Sequence, residues 1–438
     1  MTENNKLDRK TLVRAGSWAM YDFANTIYSY IVVTMYLPPL LEKITDSNFL
    51  MSFSNVFSMV LAGFSAPVLG ALTDRSKCAK RWLIIVTVIC CIACAGIGFL
   101  IAVQENPGLL LCLTTGLAFV IANLTYQLGL MFYNSFLPAL VPSEMQGRVS
   151  GLGIALGYVG VLAVFFPAKY VYQINPWLVF PFGGLMFFLF SLPMFITVPE
   201  REPLIEEPIT KDVIKKEVVN FIHVLKKLKH NKNLLNCLLA NFLAVDAVNT
   251  AILFFTTFLL NAVFYDLPKA PKENCTAYQM FALTVSAIVM SFLIGWLTDT
   301  IGSKRSFLIA ALSMGAACIC GCTLSRGWMF YITVTLFGGA GLAGVWTAGR
   351  KLLAEITPEG KEGEYFGLYG LTNKSSAFGT IVFAIITFSL PKFGLSEPVA
   401  YRIAILFPLV TLALSLYFLK KVEIRHPNIT KEKEAEHE

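Results

Sequence analysis

The chain has 438 residues, of which 56% are hydrophobic and 14% charged, with a formal net charge of +7. Soluble chains carry about a quarter charged residues, so a water-soluble globule of this composition is excluded: it would expose apolar surface and aggregate. A nucleic-acid protein is excluded too, because the lysines and arginines are spread through short segments between apolar runs rather than gathered in one patch.

In chain order, the residues through Arg14 are polar and basic, and the run from Trp18 to Leu41 is apolar. That run is longer than the core of a signal peptide and no small-residue cleavage site follows it, so it reads as a retained first helix. Spanning a bilayer takes about 20 apolar residues. Runs near 17–41, 49–73, 82–103, 108–134, 148–172 and 176–198 predict six helices. A polar stretch occupies 199–232, and six more runs follow near 233–261, 276–298, 306–325, 328–354, 364–390 and 398–420. The expected architecture is an all-α integral membrane protein with twelve transmembrane helices. It divides into an N-terminal six-helix bundle (1–198), a linker (199–232), a C-terminal six-helix bundle (233–420) and a charged, disordered tail (421–438).

An even helix count puts both termini on one side, and the positive charges say which. One set of segments holds Lys6, Arg9, Lys10, Arg14, Arg75, Lys77, Lys80, Arg81 and Arg148, the basic linker, Lys304, Arg305, Arg350, Lys351, Lys361 and the tail lysines. The opposite set holds little beyond Lys43, Lys169, Lys269, Lys272, Arg326 and Lys392. Both termini and the linker are therefore expected in the cytoplasm. Within the linker, Ile214, Val218, Phe221, Ile222, Leu225 and Leu228 recur at helical spacing among Lys215, Lys216, Lys226, Lys227 and Lys229. That pattern predicts an amphipathic helix over 211–229 lying on the anionic leaflet, with a mainly structural role.

The ten cysteines fall mostly inside apolar runs and read as small core residues. Cys91 and Cys94 have the C-x-x-C spacing, but no histidine or second pair lies near them in sequence, so no metal and no cofactor are expected. None of the four histidines lies in a predicted span, which excludes a histidine proton relay. No P-loop or nucleophile elbow is present, so the chain reads as neither an ATPase nor an enzyme of that kind.

The two halves repeat each other. Asp22-Phe23-Ala24-Asn25-Thr26 in the first helix matches Asp246-Ala247-Val248-Asn249-Thr250 in the seventh. Gly70-Ala71-Leu72-Thr73-Asp74 with Lys80 and Arg81 matches Gly295-Trp296-Leu297-Thr298-Asp299 with Lys304 and Arg305. Gly151-Leu152-Gly153 pairs more loosely with Gly367-Leu368-Tyr369-Gly370. Parallel repeats of this kind mark the halves of a rocking transporter with its site between them.

Ionisable residues inside a membrane are costly and usually functional. Asp22, Asn25, Thr26 and Ser29 form one polar stripe on the first helix, and Asp246, Asn249 and Thr250 form its counterpart on the seventh. They are candidates to bind a substrate amine or a coupling proton; bonding to neighbouring backbone is the alternative. Lys374, near the middle of the eleventh helix, is a partner for a substrate carboxylate or for an aspartate. Arg402, near the outer end of the last helix, is expected to snorkel to the headgroups. Asn123, Gln127 and Asn134 share one face of the fourth helix, where they either line a solute path or pack against a neighbour. Gly70, Asp74, Arg75, Lys80, Arg81, Arg148, Gly295, Asp299, Lys304 and Arg305 read as a cytoplasmic gate. Its glycines permit close helix approach and its aspartates accept hydrogen bonds from a neighbouring helix N-terminus.

Gly295, Leu297, Asp299, Gly302, Lys304 and Arg305 resemble the signature G-x-L-x-D-x-x-G-x-K/R of the major facilitator superfamily. In the first copy, Lys77 stands where glycine is expected and the loop is a residue longer. Trp18-Ala19-Met20-Tyr21-Asp22-Phe23-Ala24-Asn25 resembles the opening signature of the vacuole-effluxer family, as do Tyr133-Asn134-Ser135-Phe136-Leu137-Pro138, Gly147-Arg148-Val149-Ser150-Gly151-Leu152-Gly153 and Tyr365-Phe366-Gly367-Leu368-Tyr369. The resemblance implies a monomeric secondary transporter of amino-acid-like solutes working by alternating access, with proton coupling as one option. A lipid transporter on the same fold and a non-transporting receptor or scaffold are the alternatives. The compact chain suggests a bacterial inner membrane rather than a vacuolar one, although Asn274-Cys275-Thr276 forms a glycosylation sequon. Its expected partners are a small-molecule substrate, protons and the lipid bilayer.

Overall fold

The computed structural model describes residues 8–45, 49–103, 109–203, 206–228, 230–375 and 378–424. The expected tail lies almost wholly outside them, as do Lys6 and Lys229. Among the described residues the regular structure is helical: α1 (Arg9–Tyr28), α2 (Leu37–Thr45), α3 (Phe49–Arg75), α4 (Ala79–Val103), α5 (Leu109–Ser135), α6 (Leu137–Leu140), α7 (Ser143–Ile174) and α8 (Val179–Thr197). The linker helix α9 (Lys211–Lys227) leads to α10 (Lys232–Phe258), α11 (Lys269–Ile301), α12 (Ser303–Thr323), α13 (Trp328–Ile356), α14 (Glu362–Ser375), α15 (Phe378–Ser389), α16 (Glu397–Ala404) and α17 (Phe407–Lys420). Helices satisfy their own backbone polar groups, which hydrocarbon cannot do for them. Pro67, Pro167 and Pro193 sit inside α3, α7 and α8, as membrane helices tolerate.

Among the described residues, ten helical segments are long and apolar enough to cross a membrane, from Phe53–Arg75 to Glu397–Lys420. The first predicted span is missing from these ten because α1 carries Arg9, Lys10, Arg14, Asp22 and Asn25. The eleventh falls in α14 and α15, on either side of residues 376–377, which lie outside the described residues. Both α1 and α10, the first helix of each half, continue into a π-helical stretch, Ser29–Met35 and Leu259–Val263. Such turns are rare and recur at functional sites.

One buried apolar cluster draws its residues from Ala15 to Val198, and two others draw theirs from Leu234 to Val422. The outer surface is apolar as well: Phe53, Leu110, Phe166, Ile196 and Phe388 are exposed, as suits a surface that meets lipid rather than water. The halves touch chiefly through α3 against α14 and α7 against α11. These are the second helix of one half and the fifth of the other, in both directions. Glycines make the approach possible. A Cβ on Gly70 would collide with the Gly363 carbonyl, and one on Gly295 would lie 2.7 Å from the Gly147 carbonyl oxygen.

The linker helix packs against the end of α3. The Thr210 side chain caps it by accepting from the Val213 N–H. Its buried Glu217 accepts from Arg75 at 3.0 Å, tying it to the end of α3. Phe221 and Leu228 pack inward, whereas Ile214 and Val218 are exposed. Arg402 does not snorkel outward. Its guanidinium donates to the carbonyls of Cys322 (2.7 Å), Leu324 (3.2 Å) and Ala262 (3.4 Å), which are left without intrahelical partners at helix ends.

Candidate functional site

Three clusters of buried charge hold the halves together at one end of the molecule, the end that carries Arg75, Lys80, Arg148 and Lys304. The first joins α3 to α14. Asp74 accepts from the backbone N–H groups of Gly363 (2.8 Å) and Glu364 (2.9 Å). Both belong to the first turn of α14, where N–H groups have no partner within the helix and the helix dipole favours an anion. Asp74 also takes a hydrogen bond from Arg201, which reaches Glu362 at 3.4 Å. Arg201 is 7% exposed, so its charge is satisfied by these acids rather than by water.

The second cluster mirrors the first. Asp299 of α11 accepts from the N–H groups of Gly147 (2.7 Å) and Arg148 (2.8 Å) in α7. The buried Lys351 Nζ lies 2.8 Å from its Oδ1, and the exposed Arg148 side chain approaches Oδ2 at 3.8 Å. Of the other gate residues, Arg75 binds Glu207 at 3.2 Å as well as Glu217. The N–H groups of Lys80 and Arg81 point at Glu200 (2.7 and 3.4 Å). Lys304 Nζ donates to the carbonyls of Lys420 (3.0 Å) and Val422 (2.6 Å) at the end of α17, and Arg305 is exposed.

The third cluster is central to both halves. Asp22 Oδ2 accepts from Arg350 Nη1 at 2.7 Å and from the Tyr133 hydroxyl at 3.0 Å. Asp22 Oδ1 accepts from Arg350 Nη2 at 3.4 Å and from Asn25 Nδ2 at 3.1 Å. Asp22 is 5% exposed and Arg350 6%, so this is a pair taken out of water, in which each carboxylate oxygen accepts two hydrogen bonds. The Trp18 and Tyr133 rings stack at 4.3 Å between centroids, and the Trp18 indole N–H donates to the Tyr133 carbonyl at 2.9 Å. The guanidinium carbon of Arg350 lies 5.9 Å from the Trp18 ring and 5.6 Å from the Tyr133 ring, within cation–π range. Gly153 of α7 leaves room for the carboxylate, since a Cβ there would lie 2.6 Å from Asp22 Oδ2. Thr26 Oγ donates to the Asp22 carbonyl at 2.6 Å.

Arg350 and Lys351 are thus not loop charges. They lie buried in the last turns of α13, and each pairs with an aspartate from the repeated motifs. Arg350 was visible as an arginine near the end of the tenth apolar run; Arg201 carries no such signal, because it lies in a polar stretch.

The counterpart of Asp22 lies in the first helix of the other half. Asp246 is buried in α10, and both its carboxylate oxygens lie near the Gly379 N–H (3.0 and 2.9 Å) in the first turn of α15. Thr250 Oγ donates to the Asp246 carbonyl at 2.7 Å, and Asn249 is half-buried beside it. Lys374 falls in the last turn of α14, and its side chain lies outside the described residues. Asn123 is fully buried and its amide donates to Asn55 (3.1 Å) and Ser58 (2.8 Å) of α3. Gln127 is buried one turn further on, and Asn134 is half-buried.

Residues 43–425 match the family model described as vacuole effluxer Atg22 like. An uncharacterized MFS-type transporter, YxiO of Bacillus subtilis (strain 168), is 23% identical over 412 residues, covering 89% of this chain and 91% of the relative. Autophagy-related protein 22 of Vanderwaltozyma polyspora is 23% identical over 376 residues, covering 69% of this chain and 65% of that protein. Among solved structures, the major facilitator superfamily transporter FucP in its outward conformation matches with a TM-score of 0.70, 14% identity, and coverage of 95% of this chain and 99% of that one. A bacterial homologue of ferroportin in its outward-facing state matches with a TM-score of 0.69, 16% identity, and coverage of 94% and 99%. The fold is therefore that of the major facilitator superfamily, in a multi-pass membrane protein. Matched over most of its length by one family model, the chain belongs to the vacuole effluxer Atg22-like family.

Proposed function

We propose that this protein is a secondary transporter that moves a small amino-acid-like solute by alternating access between two six-helix halves, 1–198 and 233–420. The observation that carries the reading is the buried Asp22–Arg350 pair, whose partners come from different halves. With the Asp74 and Asp299 contacts it forms a set of polar bonds that rocking of the halves can break and remake together. On this reading all twelve predicted segments span the membrane. The end with the basic residues faces the cytoplasm with both termini, and the described contacts are those of a closed cytoplasmic gate. The outward states of the two structural neighbours support that assignment. The longer match to bacterial than to fungal relatives supports a bacterial cell membrane. The transporter works as a monomer, and a gradient supplies the energy.

An apolar cavity of about 250 Å³ supports a second reading. It lies between α7 and the C-terminal half, lined by Tyr158, Phe255, Phe258, Leu283 and Met314. A lysolipid chain, or the side chain of a large apolar solute, would fill it. Uptake into proteoliposomes separates these readings: radiolabelled amino acids and fluorescent lysolipids are offered to the intact protein and to Arg350→Gln. Saturable amino-acid uptake lost in Arg350→Gln is expected. Movement of lysolipid alone would refute the amino-acid reading, and movement of neither would refute transport by this site.

A further inference from the structure

We infer that the Trp18–Asp22–Asn25–Tyr133 cluster is a preformed organic-cation site, that Arg350 occupies it as a tethered surrogate, and that an ammonium group on the transported solute takes Arg350's place when the cytoplasmic end opens. The inference rests on the transport reading and adds the chemical class of the solute.

The receiving groups all belong to the N-terminal half: Trp18, Asp22 and Asn25 on α1 and Tyr133 on α5. The cation alone comes from the other half, on α13. Separation of the halves at this end withdraws Arg350 and leaves the rest of the site behind. Opening admits water to the carboxylate, and a cation that enters with the water can pair with Asp22 in place of Arg350.

The shape of the site selects which. A carboxylate with one oxygen on the Tyr133 hydroxyl and the other on the Asn25 amide still has lone pairs for two or three donors, as the two Arg350 contacts show. The Trp18 and Tyr133 rings, 5.9 and 5.6 Å from the Arg350 guanidinium carbon, form the aromatic part of the wall. Aromatic faces favour weakly hydrated organic cations over small metal ions, and among the described residues no group of three or more histidine, cysteine or acidic side chains is placed to hold a metal. Gly153 keeps the oxygen side open, since any side chain there would enter the space that Asp22 uses. An alkylammonium group meets each requirement: positive charge, three donors and an apolar stem. A proton on Asp22 would also remove the stranded charge, but it would make no use of the rings.

The test uses the full chain in lipid nanodiscs. Arg350→Ala vacates the site, and its melting temperature is followed against methylammonium and methylguanidinium chloride, with sodium chloride and acetamide as references. The same series is run on Asp22→Asn/Arg350→Ala. A desolvated cation–π contact corresponds to about 30-fold in affinity, so the organic cations should stabilise Arg350→Ala at about 30-fold lower concentration than sodium. The double variant should not discriminate. Equal behaviour of the two variants, or parity with sodium, overturns the inference.

If Arg350→Ala does not fold, the intact protein decides. Lysine and leucine are compared with their N-acetylated forms, in the intact chain and in Trp18→Leu. Stabilisation by the free amines alone, weakened in Trp18→Leu, supports the site. Indifference to acetylation, to the ring, or to all four solutes overturns it. Solute uptake that is indifferent to acetylation would remove the cation site and keep transport. Cation binding in a protein that transports nothing would keep the site and remove the transport reading.

Discussion

Neutralising either member of the central pair should open the cytoplasmic end. Asp22 and Arg350 are 5% and 6% exposed, so removing one partner leaves the other as a buried charge, at a cost of about 3–5 kcal/mol. In a single rigid bundle that cost would appear wholly as lost stability. Here the two residues belong to different halves, and the stranded ion can be rehydrated if the halves part. The cost therefore acts on the conformational equilibrium, where 3 kcal/mol is roughly 150-fold in population. Spin labels at positions 81 and 305, exposed at the starts of α4 and α12, report the separation on a cysteine-depleted background. Asp22→Asn and Arg350→Gln should each move the distance distribution to longer values. The double variant holds no stranded charge and should return most molecules to the closed population. Singles that leave the distribution unchanged, or a double variant shifted by the sum of both, would refute the reasoning. Asp22 is also a candidate to bind a substrate amine or a coupling proton, so Asp22→Asn is expected to impair transport directly. Pairing with Arg350 makes that substitution a conformational perturbation as well, so its transport defect is interpretable only beside the double variant.

Gly147→Ala places a methyl group 2.6 Å from both the Gly295 carbonyl and Asp299 Oδ1; the α7–α11 contact should loosen, seen as the same lengthening between positions 81 and 305. Asn123→Ala removes the hydrogen bonds to Asn55 and Ser58 and should cost about 1–3 kcal/mol, read as a lower melting temperature with the KM for solute unchanged; a raised KM at unchanged stability would place Asn123 on the solute path instead. Glu217→Gln deprives Arg75 of its buried partner, and the expected result is faster amide exchange confined to α9; unchanged exchange would mean that apolar packing of Phe221 and Leu228 holds the linker by itself.

The amino-acid sequence by itself determined the solvent, the helix positions and the duplication. Apolar runs of membrane length are a local property, and each helix bonds its own backbone, so twelve spans could be read before any packing was known, and the described helices match ten of them. The repeated D-x-x-N-T and G-x-L-x-D motifs likewise marked Asp22, Asp74, Asp246 and Asp299, because a charge inside an apolar run stands out without its partner. What those aspartates face depends on how the helices pack. Asp22 meets Arg350 from 328 residues away, Asp74 takes the start of α14 with Arg201 beside it, and Asp246 takes the Gly379 N–H. No periodicity encodes such pairings. They arise where segments distant in the chain pack together, between the halves for Asp22 and Asp74 and within one half for Asp246, and the partner that satisfies a buried charge is fixed by that packing rather than by its neighbours in the chain.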